Sequence, residues 1–309
     1  MEIKDEITLL AEINKYSWYH RIQVSPTVYT KSTENNATGY QKLWDFILRE
    51  LNRLDFTGKR VLDIGCRDGL WSFEAEKLGA KEVVGIDNDL SLGAVEFLIP
   101  LFNSKVKMHE LNLYDLTPER FGFFDIIIFP GVLYHLRYPF WGLKRITDCL
   151  GDKGVLFIES GMLLDEKLKD KEILFCPVEK NPYEPTSCTF FNEKGLTTTL
   201  RSLNCRMLYS KLLGSESPME QAPSMGRSFR SLINRWLEQT GYTVQRKDEG
   251  FSLMIDRQIL VFEKDIRIWP AESSAFLDAY WNGNHRAHSC SAEERSKLRE
   301  ALSRSRNSV

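Results

Sequence analysis

From Arg60 to Glu159 short apolar runs alternate with stretches of helical length, and this alternation limits the fold more than any other feature of the chain. Val61-Leu62-Asp63-Ile64, Glu82 to Ile86, Val106 to Leu111, Phe124 to Phe129 and Gly154 to Glu159 read as strands. Trp71 to Leu78, Ser91 to Leu101 and Pro139 to Leu150 read as helices, with Gly79 stopping the first and Pro100 limiting the second. Phe124 to Phe129 is the most apolar run, as a strand covered on both faces should be. Strand and helix alternating at this length predict an α/β fold, a parallel sheet flanked by helices.

The flanks are organised differently. Residues 1–20 read as a helix, with Ile3, Ile7, Leu10 and Ile13 near helical spacing; 25–39 read as a loop. Tyr40 to Leu54 is a second helix with Leu43, Trp44, Ile47, Leu48 and Leu51 on one face. After Glu159 the pattern breaks into a lid-like loop over 161–190, holding Pro177, Pro182 and Pro185. A helix from Asn192 to Leu203, a strand from Cys205 to Leu213, a loose stretch over 214–226, a helix from Arg227 to Thr240 and a last strand from Gln258 to Phe262 follow. The division is an N-terminal helical cap and entry segment over 1–56, a core domain over 57–264 with an insertion near 214–256, and a tail over 265–309 with a helix from Ala292 to Arg304.

The 309 residues suffice for one large domain or two small ones. A hydrophobic share of 42% supports a buried core, and a formal net charge of -2 gives no global basic field to draw nucleic acid. The six cysteines are scattered with no Cys-x-x-Cys pair, and no carboxylate stands at ligand spacing from His285 or His288, so no metal is expected. No signal peptide or membrane-spanning run is visible, and a cytoplasmic, reducing location fits the cysteines.

The first strand leads into Asp63-Ile64-Gly65-Cys66-Arg67-Asp68-Gly69, and a helix follows. In open α/β sheets the ligand crevice lies at such a place. Gly65 and Gly69 allow close backbone approach and positive φ, and Asp63 can accept hydrogen bonds from the loop or from an ammonium group. Asp87 ends the next strand 24 residues later, where a carboxylate suits the two hydroxyls of a ribose. The Gly-x-Gly-x-x-Gly spacing of dinucleotide sites is not met, and a plain βα turn remains open.

The turn keeps Asp63, Gly65 and Gly69 of the pattern Asp-x-Gly-x-Gly-x-Gly, with Arg67 where the middle glycine usually stands. Gly131-Val132-Leu133-Tyr134-His135 with Arg137 and Pro139, Val84-Gly85-Ile86-Asp87, Trp18-Tyr19-His20 and Phe190-Phe191-Asn192 extend the match over about residues 15–205. In these segments the chain resembles the class I S-adenosylmethionine-dependent methyltransferases, in the branch that contains the bacterial tRNA wobble-uridine carboxymethyltransferase. The resemblance implies a Rossmann-like sheet, mostly parallel with an antiparallel last strand, and S-adenosyl-L-methionine as cofactor. It implies that Gly65, Cys66 and Gly69 line the methionine and ribose end, and that Asp87 holds the ribose with Asn88 beside the adenine. Asn112 and Leu113 would edge the adenine, Pro130 and Gly131 would stand near the sulfonium, and Tyr134 would meet the transferred group.

Methyl transfer needs alignment and, for a hydroxyl or ammonium acceptor, a proton acceptor. His135, after the fourth strand, is the first candidate base; a histidine packed on the strand end is the alternative. His20, beside Trp18 and Tyr19, is the second, against a purely anchoring role. Glu159, at the end of the fifth strand, could orient a histidine or bind substrate, or be a capped strand end. Trp71, Tyr134 and Phe190 could face a sulfonium through their rings. The acceptor expected is a small molecule, bound in an enclosed pocket under 161–191 and 214–256. RNA is the alternative partner and would need a continuous basic surface; a carboxylated cofactor would also need a cation, for which Arg21 and Lys31 are loose candidates. A third reading is a non-catalytic cofactor-binding subunit. The tail helix reads as a packing or homo-oligomer helix, with no membrane partner expected.

Overall fold

A computed structural model describes residues 6–32, 37–177, 183, 185–214, 246–248 and 251–282. The expected helices at 227–240 and 292–304 lie outside these residues. The central sheet is built from β1 (Arg60–Ile64), β2 (Glu82–Asp87), β3 (Lys107–Glu110), β4 (Phe124–Pro130), β5 (Leu150–Leu164), β8 (Cys205–Leu212) and β10 (Phe251–Lys264), in the order β3-β2-β1-β4-β5-β10-β8. A short β9 (Arg246–Asp248) pairs with the start of β10, and β6 (Leu174–Phe175) with β7 (Phe190–Phe191) makes a separate ribbon. β1 to β5 pair in parallel, and β10 runs antiparallel to both β5 and β8, as the class expectation has it.

Side chains alternate across the sheet and build a core on each face. Val61, Ile126, Ile128, Phe157, Ile259 and Val261 point to one face, where α2 (Ala37–Leu51) and α3 (Leu70–Lys77) pack through Trp44, Ile47, Trp71 and Phe73. Leu62, Ile64, Ile127, Phe129, Ile158 and Leu260 point to the other, covered by α6 (Pro139–Cys149) and α7 (Glu193–Ser202) through Leu143, Ile146, Leu196 and Leu200. A short α5 (Pro118–Phe121) precedes β4, a 3-10 turn at Leu133–His135 leads from β4 to α6, and α8 (Ala271–Trp281) donates from Trp281 Nε1 to Ser202 Oγ at 3.1 Å.

Several elements differ from their expected extent; the last strand, expected over Gln258 to Phe262, runs from Phe251 to Lys264 as β10. The first helix, α1, covers Glu6–Ile13 and stops there, because Trp18 Nε1 donates to the Ile13 carbonyl at 2.9 Å and Trp18 itself is buried in the core. The helix expected after β2 is a π-helical turn, Ala94–Leu98, that continues into α4 (Ile99–Phe102), with Pro100 inside its first turn. β5 runs five residues past Glu159, paired through Leu164 with Met254 of β10, so the expected loop begins only at Asp165.

Candidate functional site

The carboxyl ends of β1, β2 and β4 gather the turn, Asp87 and the Pro130–His135 segment. Asp63 is fully buried; its Oδ2 accepts from Ser72 Oγ at 2.6 Å, and its Oδ1 is buried with no hydrogen-bond partner among the described residues. Burial pushes its carboxyl up to about 7, although the Ser72 hydrogen bond and the His20 charge pull the other way. Gly65, at φ 78°, donates to the Ile86 carbonyl at 2.8 Å. A Cβ there would meet Val132 Cγ2 at 2.3 Å, so only glycine lets the β4 loop close on the turn. Cys66 is buried with its sulfur against Gly85, and burial, then the Asp63, Asp87 and Asp68 carboxylates, push its thiol up, away from nucleophilic use.

Arg67 takes the backbone conformation that a glycine would hold, with φ 47°. It is tied down on both sides: its N–H donates to Asp87 Oδ2 at 2.8 Å, and its guanidinium pairs with Asp89. Asp87 Oδ1 accepts the Asp89 N–H at 2.8 Å, which leaves the half-buried carboxylate lone pairs to spare. Asn88 is exposed beside it. Asn112 is exposed and caps the turn at Leu113–Asp115 by accepting the Tyr114 N–H at 3.0 Å, while Leu113 is buried in the core.

Asp68 is buried in the same turn and accepts from the N–H groups of Tyr19 and His20 at 2.8 and 2.9 Å. The His20 ring binds it through Nδ1. Burial alone would raise the Asp68 carboxyl, but the His20 charge and these hydrogen bonds hold it below its ordinary range. The His20 ring is enclosed by Tyr19, Trp44 and Trp71 at 4.8, 5.3 and 5.6 Å between centroids.

Glu159 is fully buried, and both its oxygens are taken by Arg257, at 2.6 Å from Nε and 2.7 Å from Nη2. Nη1 of Arg257 donates to the Tyr134 hydroxyl at 2.6 Å. Burial would lower the Arg257 pKa, but the Glu159 carboxylate holds it well above the usual value. Tyr134 stacks near Phe190, and His135 lies half-buried with its ring 4.1 Å from that of Tyr134. Pro130 is buried at the end of β4, and Gly131, at φ 73°, donates to the Glu159 carbonyl at 2.9 Å. Arg257 and Asp68 were not among the sequence candidates. Both carried a signal: a charge inside the apolar run of β10, and an acid inside the glycine turn.

A cleft of about 560 Å³ opens at the end of β5, lined by Leu163, Leu164, Glu193, Met207, Met254 and Gln258 among others. Leu163 also belongs to the apolar cluster that holds Tyr134, Phe190 and Ile255. Among the described residues no helix is long and apolar enough to cross a membrane.

A mostly parallel sheet with its antiparallel strand between β5 and β8, and a glycine turn after β1 facing the acid that ends β2, define a Rossmann-like methyltransferase. A family profile described as a methyltransferase domain matches residues 36–210, more than half of the chain, and the chain belongs to that family. It is 31% identical over 151 residues to the tRNA U34 carboxymethyltransferase of Helicobacter pylori (strain ATCC 700392 / 26695), covering 48% of this chain and 54% of that protein. It is 34% identical over 113 residues to the protein of the same name from Pseudomonas aeruginosa (strain LESB58), covering 35% and 34%. The chain thus spans about half the length of the Helicobacter relative it matches, and less of the Pseudomonas one. Among solved structures, the N-terminal domain of EvdMO1 with SAH bound superposes with a TM-score of 0.53 at 11% identity, covering 85% of this chain and 98% of that one. At that identity the likeness shows the fold.

Proposed function

We propose that the chain is an S-adenosylmethionine-dependent methyltransferase acting on a hydroxyl or amine of a small-molecule acceptor. The observation that carries the cofactor reading is the orphaned Oδ1 of Asp63 in the turn that Gly65 and Asp87 share. A buried acceptor without a donor is costly, and the ammonium group of the cofactor, directly or through a water, supplies one. Asp87 would hold the ribose hydroxyls, and Asn88 and Asn112 would flank the adenine. When bound, the cofactor supplies a methyl group activated on a sulfonium. His135 would take the acceptor's proton on a ring nitrogen as the acceptor oxygen or nitrogen receives the methyl group. His135 is the stronger base candidate because His20 is enclosed by rings and bound to Asp68, and Glu159 has both oxygens on Arg257. The cleft at the end of β5 falls in the ~300–1,000 Å³ range of small-ligand sites and supports a small acceptor.

A second reading, modification of a tRNA wobble uridine with a carboxylated cofactor, has its own support. The relatives carry that name, and Arg257 is a buried cation whose Nη1 reaches Tyr134. Tyr138, Phe140 and Trp141 are exposed at the start of α6, with Arg145 4.2 Å over the Trp141 ring, a surface suited to stacking bases. Against it, Glu159 already neutralises Arg257 through two hydrogen bonds. Calorimetry with S-adenosylmethionine, S-adenosylhomocysteine and the carboxylated analogue decides. Micromolar binding of the first two is expected; a preference for the carboxylated form moves the assignment to RNA, and binding of none removes the cofactor reading. His135→Ala is expected to lose turnover with cofactor binding intact.

A further inference from the structure

We infer that residues 16–32 form part of the cofactor site, and that Asp68 is the positioning residue that couples this segment to the cofactor turn. The inference rests on the cofactor reading above. Every hydrogen bond found on the Asp68 carboxylate among the described residues comes from the segment: two backbone N–H groups and the His20 ring. The carboxylate is fully buried between Arg67 and Gly69, the residues that give the turn its shape. A buried carboxylate without partners is unstable, so the turn cannot keep this conformation once the segment departs. Asp68 must then turn outward to water, taking the neighbouring peptides with it.

The segment is braced to act as one piece. Thr30 Oγ1 accepts the Ile22 N–H and donates to the His20 carbonyl, both at 2.7 Å, and Ser32 Oγ donates to the Tyr19 carbonyl at 2.7 Å. Its start also reaches the element after β2. Trp18 lies on Gly93, where a Cβ would meet its ring at 2.6 Å, and Tyr16 and Trp18 pack on Phe97 at 6.3 and 6.4 Å. One short segment therefore spans the turn after β1 and the helix after β2, while Arg67 joins the turn to the end of β2 and its loop through Asp87 and Asp89. The ribose and methionine ends of the cofactor would lie on these two pieces. Docking of the segment and binding of the cofactor favour the same turn conformation, so each must strengthen the other, and by the same factor.

Hydrogen-exchange mass spectrometry on the full chain, with and without saturating S-adenosylhomocysteine, tests this directly. Exchange in peptides covering 16–32 is expected to slow together with the 63–69 turn, beyond any change in the buried strands β4 and β10. Asp68→Asn keeps the size of the side chain and removes its charge. It is expected to weaken S-adenosylhomocysteine binding by about tenfold or more, the scale of a lost charge-assisted hydrogen bond. It should also abolish the slowing, and raise the KM for the cofactor while kcat at saturation stays near the wild-type value. A merely structural residue would lower Tm without that split. The inference is overturned if wild-type protein binds the ligand and exchange over 16–32 does not change, or if folded Asp68→Asn protein binds as wild type does. Failure of wild-type protein to bind at all is a separate result that removes the cofactor reading on which the inference stands. The wild-type exchange measurement decides even where the variant does not fold.

Discussion

Asp63 brings burial and function into conflict at a single side chain. Its carboxyl is pushed up to about 7, above an ordinary value of 3.8, first by burial, with Ser72 and His20 opposing. A raised folded pKa means that the folded state holds its proton more tightly than the unfolded chain. The stability it contributes is complete below about 3.8 and is lost as pH rises through 7. Asp63→Asn removes that loss, so the fall in Tm between pH 5.5 and pH 8 should be smaller in the variant. An ammonium ligand favours the ionised form, so wild-type cofactor affinity should climb with pH up to about 7 and stay flat in Asp63→Asn; parallel pH profiles from calorimetry would refute the contact. Glu159 poses the opposite case, a charge whose partner is complete. Glu159→Gln strands Arg257 as an unpaired buried cation and should cost about 3–5 kcal/mol in urea unfolding. Were Glu159 instead the proton acceptor, the same variant would lose turnover and keep its stability. Glu159 was visible in the sequence as a strand end. Its partner lies 98 positions away on a strand whose neighbour no local pattern reveals.

At the scale of elements, what could be read locally came out close to expectation. Asn192 before Glu193 marks the start of α7, and the structure shows its Oδ1 accepting the Gly195 N–H at 2.8 Å. The same side chain also accepts from Ile173 N–H and donates to the carbonyls of Leu168 and Lys171, so one cap holds the 165–173 loop against the helix. Those bonds cross the chain and leave no local mark. Asn192→Ala should cost about 1–3 kcal/mol and release exchange protection at Ile173, since buried partners lose their bonds together. Asn192→Asp keeps the acceptor and loses only the donors, so it should retain the helix cap and free the loop alone; equal effects from both variants would show that the loop bonds contribute nothing. The continuation of β5 to Leu164 was invisible for a similar reason. Ser160-Gly161 interrupts its apolar pattern, and only pairing with Arg257 and Gln258 of β10 keeps it extended.

For the whole molecule, the βα alternation announced a parallel sheet, but not the order 3-2-1-4-5-10-8 that places the turn, Asp87 and Gly131 at one edge. That order depends on which strands meet after crossovers of similar length, a choice made by packing of both faces at once. The resemblance supplied the edge, while the acceptor region fell partly on residues 215–245, outside the described structure. Because the site is assembled from three separate strand ends, a ligand that bridges them must stabilise the fold as a unit. At one hundred times its Kd, S-adenosylhomocysteine should add about 2.7 kcal/mol, or roughly 5–10 °C in Tm. Asp87→Ala loses the bonds to Arg67 and Asp89 N–H groups, so its ligand-free Tm should fall slightly. The larger effect should be on the ligand-induced rise, which on the proposed reading should all but vanish at the same ligand concentration, because the ribose hydroxyls would lose their acceptor and the two loops their bridge. A full shift in Asp87→Ala would mean that the ligand sits elsewhere, and that the edge shared by β1, β2 and β4 only resembles a cofactor site.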